Sequence, residues 1–525
     1  SYSDDLHIDN RNDVVAWSKA IAKSGRPIWF TVSWQVDQDY LKDVWQPYAN
    51  ARRIDDDVEC ESRCATLTNW PRIYKRFRDL PSWQDEAGPS KGWNDLDSLD
   101  IGDGTLDGLS NDEKRTAMSL WSLANAPLYL GGDLTKLDAA GKEIAGNDEV
   151  LAVDQSGKPA RQIISGDQPV WVSDLGDGNY YVALFNMTAL PVVAKLPWHE
   201  LGLDGARAMR DLWHHLDLGP SQGTYATLLP GHGVQLLKIK ALSGNVAPSP
   251  ATAYEAEAAS LSGSAAVFDC AGCSQGKKVG GLGLGANNTV TFNNVYAPRD
   301  GVYLMRIDSL TLSLRSYLYK VNGGPFQTFN SGGGSFQIPS GNVVPVCLKA
   351  GNNTIQFGNP TSYPPDLDRI VISGNGDAAA PATTVYEAEA ATLGGTVTAG
   401  FSNYASGLSK AGNVGGGAAN TVTFSQVSVP TAGTYQVEID YETSGPRKLD
   451  VVVNGGQPLE LTLDGSSFDD PATKVINVQL KAGANTIQLG NPSDFAPDLD
   501  RIVVGPTVAS ALLLGASTRV CPRKR

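Results

Sequence analysis

The chain has 525 residues, a formal net charge of -14, 19% charged residues, 56 glycines and 30 prolines. That length accommodates about three or four domains, each with its own core, and a composition poor in charge and rich in Gly and Pro favours strands and turns over long surface helices. The acidic balance excludes a nucleic-acid backbone or an anionic membrane as partner, since both need a basic face, and no apolar stretch approaches the roughly 20 residues of a membrane-spanning helix.

The chain opens Ser1-Tyr2-Ser3, without Met, on a loop leading into a helix. That opening implies further residues upstream, so a missing secretion signal says nothing about compartment. Val14, Val15, Trp17 and Ile21 stand at helical spacing between Asp13 and Lys23, with Asp9 placed to cap the helix. The run Pro27 to Val32 reads as a strand.

Next comes Ala51-Arg52-Arg53-Ile54-Asp55-Asp56-Asp57-Val58-Glu59-Cys60. Carboxylates this close raise one another's pKa while an adjacent guanidinium lowers it, which yields an acid and a base near neutral pH. The alternative for the triplet alone is a solvated acidic turn.

Ser110-Asn111-Asp112-Glu113 is a capping box opening a helix with Met118, Leu120, Trp121 and Leu123. A strand Pro127 to Leu130 and another helix from Thr135 follow. Repeated strand-then-helix units imply a parallel sheet, and the (β/α)8 barrel is its commonest closed form, of which about half the units are present.

From about Ala160 to Lys240 the pattern changes to period-2 strands such as Val170-Trp171-Val172 and Tyr180 to Leu184, an antiparallel sandwich. All 11 tryptophans lie between Trp17 and Trp213, so the remaining chain has a different kind of core. Pro/Ala/Ser-rich linkers run from Asn245 to Ala253 and from Asn375 to Val385.

Behind each linker stands one copy of a repeat. Tyr254 to Ala259, Thr289 to Phe292 and Pro365 to Ile370 each recur 132 residues later, at Tyr386 to Ala391, Thr421 to Phe424 and Pro497 to Ile502. Two copies are too few for a solenoid, so each folds independently. The expected units are residues 1–155 as a partial barrel, 156–243 as a sandwich, 254–374 and 386–506 as two β modules, and 507–525 as a tail. The tail is basic and unlike what precedes it.

Of six cysteines, Cys60 with Cys64 and Cys270 with Cys273 sit close together. Zinc is a poor reading, because the five histidines lie at no matching spacing. Local disulfides closing small loops fit better, which favours an oxidising compartment.

At barrel strand ends, where such folds place their chemistry, fall Val32-Ser33-Trp34, Arg53 to Asp57, and Trp93-Asn94-Asp95-Leu96-Asp97. Carboxylates, an arginine and indole faces together suit a sugar, whose hydroxyls need charged partners and whose apolar face stacks on rings.

Arg53-x-x-x-Asp57, Gly92 to Asp97, Ser119-Leu120-Trp121 leading to Ala126 through Leu134, and Asn147 to Gln155 resemble glycoside hydrolase family 27 over roughly residues 1 to 242. These are the α-galactosidases and α-N-acetylgalactosaminidases of clan D. The resemblance implies a retaining mechanism without a catalytic cofactor. Asp57 maps to the general acid/base, Arg53 to a group holding it and the substrate, Asp97 to a sugar-hydroxyl ligand, and Trp34 to a pocket wall, with Asp95 behind. Ser33 stands where many α-galactosidases carry Glu and resembles the N-acetylgalactosaminidase pattern; family members acting on β-L-arabinopyranosides or isomaltosyl linkages are further alternatives.

The family's nucleophile sits in a Lys-x-Asp-Gly type strand end, which this sequence lacks. His7-Ile8-Asp9-Asn10 imitates it superficially, but the nucleophile strand is expected upstream of Ser1.

The repeated modules resemble carbohydrate-binding modules of family 35 or the related family 6, which are β-sandwiches of jelly-roll type. Glu255 and Glu257, read on one face of a strand, with Asp368 from a neighbour, form an oxygen cage suited to Ca2+; Glu387, Glu389 and Asp500 repeat the set. An edge strand protected by charges is the alternative. Stacking on sugar falls to Tyr317, Tyr319 or Tyr363 in the first module and Tyr404 or Phe495 in the second. The expectation is a secreted multidomain exo-glycosidase acting on terminal α-D-galactosides of a galactose-containing polysaccharide. Its rival is a non-catalytic carbohydrate-binding protein.

Overall fold

Three short parallel strands organise the first unit of the computed structural model, which describes residues 10–33, 36–61, 64–242, 250–374, 376–379 and 382–507. Strands β1 (Thr31–Val32), β2 (Ala51–Arg53) and β3 (Trp93–Asp95) pair in that order, with Thr31 opposite Ala51 and Arg53 opposite Asp95. Around them lie α1 (Arg11–Ser24), the short α2 (Gln46–Tyr48), α3 (Trp70–Trp83), α4 (Asn111–Ala124), α5 (Ala139–Ala145) and α6 (Asp148–Asp154). No helix among the described residues is long and apolar enough to cross a membrane.

The run Pro27 to Val32 contributes only two strand residues. Before them the Asn50 side chain accepts the Phe30 N–H at 2.8 Å, so an amide replaces the ladder there. Pro127 to Leu130 forms a parallel bridge, Leu99 to Leu130, rather than a strand, and the helix expected from Thr135 is a 3-10 turn, Leu134–Lys136, before α5. Asp9 lies outside the described residues, and Asn10 occupies the cap position of α1.

The α4 capping box forms in both directions, Ser110 N donating to Glu113 Oε2 at 2.7 Å and Glu113 N to Ser110 Oγ at 3.3 Å. Helix α3 is capped by Asn69, which accepts from Arg72 N, with Pro71 in its first turn. Unusually, α3 buries Arg72, Lys75, Arg76, Arg78 and Asp79. A helix that buries charge on several sides must meet partners on several sides, and α3 does.

The second unit comprises β4 (Arg161–Ile164), β5 (Val170–Gly176), β6 (Asn179–Phe185), β7 (Val192–Pro197), β8 (Gly205–Asp211), β9 (Leu216–Asp217), β10 (Ser221–Gln222), β11 (Thr224–Leu229) and β12 (Val234–Ala241). One sheet runs β10-β8-β12-β6-β5-β4 with β9 on β8, and β11 pairs with β7, all antiparallel. Along β6 the residues alternate by period 2. Tyr181, Ala183 and Phe185 join the barrel core, while Val182 and Leu184 fill the sandwich.

Both modules have two antiparallel sheets with the same strand order. In the first, one sheet runs Ala266–Asp269, Lys277–Gly280, Asp366–Ser373, Gly301–Thr311, Ser335–Leu348, with Ala251–Glu255 also on Asp366–Ser373. Its other sheet runs Ser260–Ser262, Thr289–Ala297, Gly351–Gly358, Arg315–Val321, Gln327–Ser331. The second module repeats this through to Asp498–Pro506, including the bulge at Phe292/Val295, which recurs at Phe424/Val427. Each copy encloses its own apolar core.

Candidate active site

Strands β2 and β3 deliver Arg53 and Asp95 side by side at their carboxyl ends, and the loops beyond carry Asp57 and Asp97. Arg53 Nη1 donates to Asp57 Oδ1 at 2.9 Å and to Asp97 Oδ2 at 2.6 Å, so one guanidinium nitrogen joins two carboxylates 40 positions apart in sequence. Val58 N also donates to Asp97 Oδ2, at 2.9 Å. Asp97 takes a positive φ of 78°, held by its N–H on Asp95 Oδ1 and by Trp121 Nε1 on its carbonyl. Side-chain oxygens of Asp57, Glu59 and Asp97 lie within 4.8 Å of one another. Arg53 already sits between Asp57 and Asp97, so these two are fixed acceptors around its cation.

The three consecutive aspartates have separate surroundings. Asp55 is fully buried between Lys75 Nζ, at 2.8 Å, and Arg76; burial opposes its ionisation, but the two cations hold its pKa below the ordinary range. Asp56 is partly exposed and shares Lys75 at 2.8 Å. Asp57 is partly exposed beside Arg53. Burial pushes its carboxyl up, but hydrogen bonds with Arg53 and Glu61 outweigh this and leave it below its ordinary value. Burial raises Asp97 and Asp95, the latter despite the Asp97 N–H. Two neighbouring carboxyl groups, Asp57 and Asp97, are thus displaced in opposite directions by their surroundings.

Of the other expected groups, Ser33 is exposed just past the end of β1, and Trp34 lies outside the described residues. Glu59, which accepts a hydrogen bond from Ser98 Oγ, escaped sequence reading. So did Lys75 and Arg76, whose signal is cationic residues on a helix that otherwise shows an apolar face. Asp100 was also missed. It is 2% exposed, neither of its carboxylate oxygens has a hydrogen-bond partner among the described residues, and burial beside Glu59 raises its pKa to about 7.

Cys60 and Cys64 form a disulfide with Cα atoms 5.5 Å apart, as do Cys270 and Cys273 at 5.4 Å. The first closes residues 60–64, beginning three residues after Asp57.

In the first module Ser274 N donates to both Asp368 oxygens, at 3.1 and 3.2 Å, and Ser274 Oγ to Glu255 Oε1 at 2.9 Å. In the second, Ser406 repeats this on Asp500, at 3.0 Å, and on Glu387, at 2.9 Å. Glu257 is not on a strand with Glu255. It occupies the 3-10 turn Ala256–Ala258, because the strand ends at Glu255. Glu255 Oε2, Glu257 Oε2, Glu387 Oε2, both Glu389 oxygens and Asp500 Oδ1 are buried without hydrogen-bond partners among the described residues. Buried acceptors with no donor fit a hard cation with oxygen ligands, although among the described residues neither module set brings three ligand oxygens within 4.8 Å of one another, as Asp57, Glu59 and Asp97 do.

The stacking expectation needs correction. Tyr317 and Tyr319 are core residues, packed on Phe357, and Tyr404 is only 5% exposed. Tyr363 and Phe495, equivalent in the repeat, are 58% and 53% exposed.

Residues 2–156 match the family described as alpha galactosidase A, and residues 165–239 match the alpha galactosidase C-terminal beta sandwich domain. Residues 384–496 match carbohydrate binding module family 35. An alpha-galactosidase from Cyamopsis tetragonoloba is 30% identical over 226 residues, covering 42% of this chain and 51% of that protein. A probable alpha-galactosidase D from Neosartorya fischeri is 25% identical over 511 residues, covering 90% of this chain and 69% of that protein. A crystal structure of a GH27 β-L-arabinopyranosidase from Geobacillus stearothermophilus superposes with a TM-score of 0.41 at 30% identity, covering 46% of this chain and 56% of that one. The chain spans about half the length of the first of these curated relatives.

Proposed function

We propose, from the premise that this chain belongs to glycoside hydrolase family 27, that it serves a retaining exo-glycosidase acting on terminal α-D-galactosides, with its C-terminal modules engaging carbohydrate. The observation that carries this reading is the single Arg53 nitrogen joining Asp57 to Asp97 at adjacent strand ends.

Asp57 protonates the departing glycosidic oxygen and then takes a proton from the incoming water. In the open site its pKa is held down, which is the base form. A sugar that covers the pocket and draws Arg53 onto its own hydroxyl removes that restraint and raises Asp57 into the acid form. Asp97 is pinned by Arg53 and Val58 N, a geometry that suits a fixed acceptor for a sugar hydroxyl. We assign no nucleophile among the described residues.

Each module cage holds Ca2+ in this reading, through Glu255, Glu257 and Asp368 and through Glu387, Glu389 and Asp500. Bound there, the ion supplies structural cross-linking of the strand ends. Two local disulfides support an extracellular location.

Asp57→Asn tests the acid/base role. The substitution should slow cleavage of an unactivated α-galactosyl disaccharide by about 100-fold or more while largely sparing the glycosylation step of a dinitrophenyl α-galactoside, whose leaving group needs no proton. Equal losses on both would refute it. Turnover of nitrophenyl α-galactoside, α-N-acetylgalactosaminide and β-L-arabinopyranoside by the intact protein decides specificity. Binding of polysaccharide with no turnover of any of the three would make it a binding protein.

A further inference from the structure

Helix α3 meets the Asp55 to Glu59 loop on one side and the second module on another. Arg72 touches both. It is 1% exposed, and its Nη1 donates to the carbonyls of Asp57, at 3.4 Å, and Glu59, at 3.0 Å. Its Nε and Nη2 are buried with no hydrogen-bond acceptor among the described residues. What faces the guanidinium is the ring of Tyr404, 4.4 Å from Cζ to centroid. A buried cation with two backbone acceptors needs further compensation, and the negative face of an aromatic ring supplies it most strongly where water is excluded.

Tyr404 belongs to the second module, and the repeat shows that this residue distinguishes the two copies. The equivalent position in the first module is Gly272, inside the loop closed by Cys270 and Cys273, where an added Cβ would meet Gln337 O at 2.2 Å. In the second module Ser402 and Ala405 replace those cysteines. The turn keeps hydrogen bonds inside its module, Ser402 Oγ to Glu442 and Ser406 to Asp500 and Glu387, and is held from outside as well: Arg78 Nη1 donates to Ala405 O at 3.4 Å, and Ser316 Oγ of the first module to Gly407 O at 2.7 Å. One copy closes its turn covalently, and the other, without the disulfide, packs it against the barrel unit and the first module.

We infer that Tyr404 is a positioning residue for the Asp57 loop: its ring holds Arg72, Arg72 holds the carbonyls of Asp57 and Glu59, and the second module is thereby part of the active-site scaffold. This rests on Asp57 being the acid/base. The residue between the two held carbonyls is Val58, whose N–H fixes Asp97, so a shift of this loop displaces both carboxylates at once. A misplacement of about 1 Å at such a site is enough to cost roughly 100-fold in rate.

The test uses the intact protein and its Tyr404→Ala and Tyr404→Phe variants. Hydrogen-exchange mass spectrometry should show amide exchange across residues 54–61 rising about tenfold in Tyr404→Ala and returning to the native rate in Tyr404→Phe, which keeps the ring face. Exchange at Ser165 and Ala189, whose N–H groups contact the modules, should stay native in both. On the unactivated α-galactoside, Tyr404→Ala should lower kcat about tenfold with KM within about twofold, and Tyr404→Phe should restore it. Native exchange across 54–61 in Tyr404→Ala would overturn the proposal. So would a rise that appears equally at Ser165 and Ala189, since that reports detachment of the modules. If the wild type turns over no glycoside, the hydrolase reading fails, while exchange still decides whether Tyr404 orders the loop.

Discussion

Asp55, Asp56 and Asp57 are consecutive in the chain, yet one is buried between two cations, one lies at the rim and one faces Arg53. The crowding was visible in the sequence; the allocation was not, because Lys75 and Arg76 arrive from a helix 20 positions away. Asp100 makes the same point more sharply, since nothing in Leu99-Asp100-Ile101 signals a carboxyl without partners. Its pKa is about 7 in the folded chain, against about 3.9 unfolded. The folded state therefore holds a proton that the unfolded state releases. Stability from this group is greatest below about pH 4 and declines as pH rises to about 7. Asp100→Asn keeps the neutral shape, so relative to wild type it should gain about 3 kcal/mol between pH 5 and pH 8, measured by urea unfolding at both values. A pH-independent difference would mean that Asp100 is already ionised in the native state.

At the scale of elements, the same turn is used twice with different closure. Ser274 and Ser406 hold identical carboxylate pairs, but Glu387, Glu389 and Asp500 are buried at the junction while Glu255 and Glu257 stay partly open. The strand carrying Glu255 was legible from its period, whereas the 3-10 turn that places Glu257 depended on where pairing with Asp366–Ser373 stops. Two cages predict two calcium ions per chain by isothermal titration calorimetry. Glu257→Gln and Glu389→Gln should each remove one, and saturating calcium at about 1,000 times Kd should stabilise the module concerned by roughly 4 kcal/mol. Unchanged stoichiometry in both variants would exclude these residues as ligands.

Across the whole molecule the modules are docked as well as linked. Ala189 N of the sandwich donates to Glu438 Oε2 at 2.9 Å, and Arg501, paired with Asp440 at 2.7 Å, lies 3.9 Å from Asp167. The first module keeps the Arg369–Asp308 pair but has Arg306, half exposed, where the second has buried Glu438. Glu438→Arg therefore places the first copy's residue beside Arg501 at the interface. It should cost about 3–5 kcal/mol of docking and split calorimetric unfolding into separate transitions; one unchanged transition would show that this contact does not hold the module. The sequence by itself determined the unit order, the 132-residue repeat, the cysteine pairs and the strand-end segments, since period, spacing and turn residues are local properties of a chain. Only the tertiary structure decided which aspartate faces which cation, which tyrosines are core, and that Tyr404 reaches Arg72. Those depend on desolvation and on contacts across separate elements, from about 20 positions apart for Asp55 with Lys75 to more than 300 for Tyr404 with Arg72, and no local pattern encodes them.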